Sequence, residues 1–109
     1  MENASTGIVY VVGPVTGLDL LNRPAFEDAR LRLQAAGWNS RIPHDFTPPD
    51  ATHERAMRLS LVWLLLHADG LCALDGWQQS PGASLEVAVA RAVGLAVEPV
   101  EWWEEGRRE

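Results

Sequence analysis

The sequence predicts a single-domain α/β fold, a flavodoxin- or Rossmann-like three-layer sandwich on a parallel sheet of four to five strands. Three observations predict it. Short apolar or β-branched runs at residues 8–12, 38–42, 69–75 and 95–97 alternate with longer segments of helical period, and such alternation closes into parallel sheets with right-handed crossovers. The first and third runs are apolar nearly throughout rather than alternating, as strands covered on both faces are. Finally, 109 residues with 47% hydrophobic content suffice for one core without staples.

In chain order, residues 1–7 read as a flexible polar lead-in and 8–98 as the domain. Ile8, Val9, Tyr10, Val11 and Val12 form the first strand. It runs into Gly13, Pro14, Val15, Thr16 and Gly17, a tight loop whose glycines can turn backbone N–H groups toward an anion. From 24 to 36, Phe26, Ala29, Leu33 and Ala36 recur at helical spacing until Gly37 stops the run. After the second strand, the three prolines of segment 43–50 are expected to exclude regular structure. His44 and Asp45 in that loop either touch a ligand or are simply solvated. Thr52 caps the next helix, with Ala56, Leu59, Trp63 and Leu66 expected on its inner face. The third strand has aspartates at its ends, Asp69 and Asp75. Gly94 stops the third helix, and Pro99 follows the fourth strand. Residues 99–109 read as a charged tail carrying Trp102 and Trp103, rings that need a surface in this subunit or the next.

The segment from Asp75 to Glu86 organises the rest. Ser80 followed by Pro81 suits a helix cap and first position, which places Glu86 at the sixth helical position. That is too deep for a capping box. At 100° per residue Glu86 shares an arc with Val89 and Val93, so its carboxylate points to the apolar side. Gly82, Ala83 and Ala90, one turn away, are small enough to leave room beside it. Two readings stay open. Glu86 serves chemistry, or it is an edge glutamate bonded to a neighbouring loop.

Composition excludes several function classes. The net charge of −6 opposes general nucleic-acid binding. All nine basic residues are arginine, which removes lysine Schiff-base chemistry and a Walker-type phosphate loop. A single cysteine, Cys72, rules out an internal disulfide and suits the core. The longest apolar stretch, 61–66, is too short to span a bilayer, so a cytoplasmic protein without a membrane partner is expected. His44, His53 and His67 are too dispersed to suggest a metal site, and no cofactor is expected. In parallel sheets ligands collect at the carboxyl ends of the strands. The 13–17, 43–47 and 76–82 loops and Glu86 all belong to that rim.

A resemblance joins these pieces. Tyr10-Val11-Val12-Gly13-Pro14-Val15-Thr16-Gly17, Asn22-Arg23-Pro24-Ala25-Phe26, Ala68-Asp69-Gly70 and Gly76-Trp77-Gln78-Gln79-Ser80-Pro81-Gly82-Ala83-Ser84-Leu85-Glu86 occur in this order. With Ala90 and Gly94, they resemble the nucleoside 2-deoxyribosyltransferase-like superfamily. The similarity is to its small bacterial and phage branch of unknown function, with a GPMTG-type loop and a GWxxSxGAxxE segment. It runs from about Tyr10 to Val97.

The resemblance implies chemistry at the N-glycosidic bond of a small nucleotide or nucleoside, with Glu86 as nucleophile and the Tyr10 phenol beside it. It also implies a homodimer or larger homo-oligomer. The chain departs from the enzymes of free nucleosides at two positions: Ser60 and Leu61 stand where they have a helix carboxylate, and Ser80 where they have another. Asp69 or Asp45 is the candidate replacement for the helix acid. Ser80 suits a 5′-phosphate, with Thr16 and Arg23 beside it. The expected catalytic set is therefore Glu86, Tyr10 and Asp69. The expected substrate-binding set is Gly13, Pro14, Thr16, Gly17, Arg23, His44, Asp45, Trp77, Ser80 and Gly82. A nucleotide-binding module without turnover is the alternative.

Overall fold

The computed structural model describes residues 7–106. Most of the lead-in, residues 1–6, and the last three residues of the tail lie outside that range. The elements run β1 (Ile8–Val12), α1 (Arg23–Ala35), β2 (Asn39–Arg41), α2 (His53–His67), β3 (Gly70–Ala73), α3 (Pro81–Ala92), β4 (Ala96–Glu98) and α4 (Val100–Gly106). The four strands form one all-parallel sheet in the order β2-β1-β3-β4. Strand β1 is therefore central, and the chain reverses its direction of growth between β1 and β3.

Side chains alternate along β1 and so feed two cores. Val9 and Val11 face one way, packed with Phe26, Ala29 and Leu33 of α1, Ile42, Cys72 and Trp103 of α4. Tyr10 and Val12 face the other way, packed with Leu64 of α2, Leu71, Val87 and Ala90 of α3, and Val97. The result is a three-layer Rossmann-like sandwich, as the strand pattern predicts.

Several local expectations are corrected. Residues Pro43–Asp45 form a short 3-10 turn inside the proline-rich loop. Proline at a first helical position needs no N–H and has its φ preset, and the Asp45 carboxylate accepts from Ile42 N at 3.1 Å. In α2 the buried residues are Ser60 and Leu64, whereas Leu66 is 71% exposed. The run 61–66 is apolar all round, so its period does not select a face. In α3 the inward arc is Ala83, Glu86, Val87 and Ala90, and Val93, which ends the helix, is exposed.

Residues 100–106, within the segment read as a tail, form α4 and complete the fold. Trp103 is buried, and its Nε1 donates to the carbonyl oxygens of Leu71 and Glu98 at 2.9 and 3.2 Å, tying β3 to β4. Only glycine fits at position 70, because a Cβ there would run into the Trp103 ring. A bidentate pair from Arg32 to Glu104, at 2.9 and 2.7 Å, fastens α4 to α1.

Candidate active site

A cavity of about 320 Å³ opens beside the carboxyl end of β1, at the point where the strand order reverses. Its walls come from three connections and the helices that follow them. The first supplies Gly13, Val15, Thr16, Gly17 and Leu21, and the second runs from Pro43 to Ala51. Opposed to these are His53, Met57 and Ser60 of α2, and Ser80, Gly82, Ala83 and Glu86 at the start of α3.

Local chemistry builds the α3 side. Ser80 Oγ accepts from Ala83 N at 3.2 Å and so caps the helix, while its own hydrogen stays available for a ligand. Pro81 has no N–H to leave unsatisfied. Gly82 N–H lies too early in the helix to find an intrahelical acceptor. A side chain at Gly82 would meet Met57 Sδ at 3.0 Å, so this glycine lets α2 and α3 close on each other. Across the cavity, Gly13 stands against Leu74, which a Cβ would approach to 2.8 Å, and Gly17 has a φ of 84°. Among the described residues, the N–H groups of Thr16 and Gly17 bond no acceptor.

Glu86 is 7% exposed and has no ion-pair partner among the described residues. Burial pushes its pKa up to about 7, opposed by the Ser60 hydroxyl. Behind it stands Tyr10, fully buried against Phe46 and Trp63, with ring centroids 6.1 and 5.2 Å away. Burial holds the phenol pKa well above its usual value, the Glu86 carboxylate adds to this, and the nearby Ser60 hydroxyl opposes it. Ser60 itself donates to Met57 O at 3.3 Å, and Tyr10 Oη is buried with no hydrogen-bond partner among the described residues. A buried acid of neutral pKa, an orphan phenol and a cavity occupy one place. Perturbed groups gathered in a cleft make this the candidate functional site.

The structure gathers only part of the set expected from sequence. Gly13, Thr16, Gly17, His44, Ser80, Gly82 and Glu86 line the cavity. Tyr10 lies just behind it. Asp69 lies at the opposite end of the sheet, where its carboxylate accepts from Ile8 N at 2.8 Å. It braces β1 at the end of the sheet remote from Glu86. Asp45 is engaged by Arg30 at 2.7 Å and by Ile42 N. Arg23 pairs with Glu27 at 3.2 Å outside the cavity. Pro14 contributes its carbonyl oxygen, which accepts from Asn22 Nδ2 at 2.8 Å, and does not line the wall. Trp77 points away, with the Arg91 guanidinium 5.7 Å from its ring centroid.

Sequence reasoning missed His53, Met57 and Thr47, and treated Ser60 only as an absent acid. The signal for the α2 residues was present, because 53, 57, 60 and 64 fall on one helical stripe that ends in buried Leu64. Among the described residues no arginine lines the cavity, and the nitrogen groups that face it are the backbone N–H groups of its loops and the rings of His44 and His53. Among the described residues, no group of three or more His, Cys, Asp or Glu is placed to hold a metal ion. No helix among them is long and apolar enough to cross a membrane.

A model of the family described as "Domain of unknown function (DUF4406)" matches residues 8–98. No curated protein and no solved structure matches the chain.

Proposed function

The chain belongs to the DUF4406 family, and from that premise we propose that it acts on the N-glycosidic bond of a nucleoside or deoxynucleoside 5′-monophosphate, with Glu86 as nucleophile. The observation that carries this reading is a buried carboxylate, without an ion-pair partner among the described residues, in a ligand-sized cavity, about one and a half helical turns inside a capped helix N-terminus. Glu86 lies four positions beyond Gly82, a rise of about 6 Å. That matches the reach from a 5′-phosphoryl group to the anomeric carbon of a pentose. A phosphate on the Ser80–Gly82 turn and the Thr16 and Gly17 N–H groups therefore brings C1′ to the carboxylate.

In the proposed step, the ionised Glu86 carboxylate bonds C1′ through one oxygen as the C1′–N bond breaks and its electron pair leaves with the base, which takes up a proton from solvent water. Water or a second base then attacks C1′ and frees the carboxylate. The oxocarbenium-like transition state is stabilised by the anion it approaches. Tyr10 Oη, lacking another partner, is free to orient that anion. The test is release of free base from a panel of nucleosides and their 5′-monophosphates, with and without an acceptor base. No release from any monophosphate, or equal release from nucleosides, defeats the proposal.

One observation favours a second reading, a nucleotide-binding module without turnover. Among the described residues Glu86 is the only carboxylate in the cavity lining, and none of them supplies a second acid there to protonate a leaving base. Nucleotide binding without base release selects that alternative.

The proposal includes self-association as a homodimer. Trp103 is committed to the core and Trp102, 45% exposed, offers a single ring, whereas the outer side of the α2–α3 layer offers a broader apolar surface for it. There Val62, Leu65 and Leu66 of α2 and Leu85 of α3 are all about half exposed or more. A helix pair apolar on both sides needs cover. Sedimentation should give a dimer at micromolar concentration, and Leu65→Glu with Leu66→Glu a monomer. A wild-type monomer refutes this part alone.

A further inference from the structure

We propose that His44 and Thr47 read the hydrogen-bonding edge of the ligand's heterocyclic base, an inference that rests on the nucleotide reading above. The connection between β2 and α2 forms one wall of the cavity, with Pro43, His44, Thr47, Pro48, Pro49 and Ala51. Proline rings and an alanine offer apolar surface suited to the face of a planar ring. Only two side chains in this wall carry polar atoms. One such atom from each, His44 Nδ1 and Thr47 Oγ1, is buried without a hydrogen-bond partner among the described residues. Buried polar groups in folded proteins are nearly always bonded. Two orphans three residues apart in one cavity wall point to a partner from outside the chain.

The chemistry of that partner follows from the tautomer of His44. Its Nε2 lies 2.8 Å from the carbonyl oxygen of Leu21, which can only accept. The neutral imidazole therefore carries its proton on Nε2 and presents a bare lone pair at Nδ1. The carbonyl is held there by an unusual turn. Leu20, Leu21 and Asn22 stand at φ 53°, 54° and 57°, a left-handed run that L-residues avoid. Asn22 anchors the turn to Pro14 O at 2.8 Å. Backbone geometry thus fixes Nδ1 as an acceptor, and the ligand atom that meets it is an N–H. The Thr47 hydroxyl donates to the acceptor beside that N–H. A planar ring with a donor next to an acceptor is the edge of a nucleobase; a pentose alone has none.

The test is calorimetric binding with the full chain carrying Glu86→Gln, so that nothing turns over. The probes are the common ribo- and deoxyribonucleoside 5′-monophosphates, ribose 5-phosphate and 2-deoxyribose 5-phosphate. His44→Gln keeps an N–H for the Leu21 carbonyl and removes the acceptor at Nδ1. Thr47→Val keeps the shape and removes the hydroxyl. Each should weaken the best-bound monophosphate about tenfold, the loss of one buried hydrogen bond. Each should leave the corresponding pentose 5-phosphate unchanged. Equal losses for both ligands, or no loss for the monophosphate, overturn the base-reading role and leave Glu86 and the phosphate wall untouched. Failure of the Glu86→Gln chain to bind any of these probes overturns the nucleotide reading and this inference with it.

Discussion

Replacing Glu86 by glutamine should stabilise the protein, and by an amount that depends on pH in a defined way. The carboxyl has a pKa of about 7 in the folded state against 4.5 when unperturbed. Because the folded value is raised, the folded state favours the neutral form. The associated stability is fully present below pH 4.5 and is lost as pH rises through 7. Linkage with these values gives the wild type a penalty of about 2 kcal/mol at pH 6 and about 3 kcal/mol at pH 7, nearly level above that. These are upper values, since the carboxylate faces a cavity that admits water. Glutamine has the same shape and never ionises. Glu86→Gln should therefore match the wild type near pH 4 and melt roughly 10 °C higher at pH 8. Thermal melts of both proteins across pH 4–8 provide the assay. The depressed carboxyls of Glu27 and Glu104 respond equally in both and cancel in the difference. The same variant should release no base. A pH-independent offset, or a mutant less stable throughout, would refute a buried carboxylate kept for function and favour a structural glutamate.

Three other perturbations test separate links. Ser80→Asp places a carboxylate at the turn proposed to hold the phosphate, so activity on a 5′-monophosphate should fall far more than on its free nucleoside, by two orders of magnitude or so if two or three charge-assisted bonds are affected. Steady-state kinetics on both substrates decides. Gly70→Ala drives a methyl into the Trp103 ring and should cost about 1–3 kcal/mol in chemical denaturation, partly recovered by adding Trp103→Leu. Leu20→Gly relieves a left-handed leucine whose side chain is 77% exposed. Offset by the entropy of glycine, it should raise stability by about 0.5–1 kcal/mol, measurable as a shift in denaturation midpoint.

Much of this architecture is legible where local chemistry alone decides. The β-branched run of β1, the Ser80-Pro81 start of α3 and the glycines after α1 and α3 carry their own instructions, and counting from the cap is enough to send Glu86 inward. The rest depends on partners distant in sequence. Asp69 braces Ile8 N from 61 residues away, and Asp45 meets Arg30 from 15 away. No periodicity announces either pairing, so both acids remain free candidates in the sequence and are engaged in the fold. Helix α2 is misread for a different reason: with apolar residues on every side, its phase is set by Ser60 settling near Glu86 and Tyr10. Charged neighbours similarly conceal Trp103, whose burial depends on a glycine in β3.

The distribution of tryptophan gives the molecule two built-in optical reporters. Trp38, Trp102 and Trp103 meet edge to face, with centroid separations of 5.1 and 4.9 Å, on the α1–α4 side of the sheet. Trp63 stands on the other side against Tyr10, Phe46 and His67. Coupled indoles fixed at right angles produce a near-ultraviolet dichroism that vanishes when α4 undocks. The emission of Trp63, by contrast, responds to the polarity and hydrogen bonding around Tyr10. All five tryptophans contribute to the emission, so a ligand settling beside Glu86 changes fluorescence while that dichroism persists, whereas a loosening of the opposite face changes both.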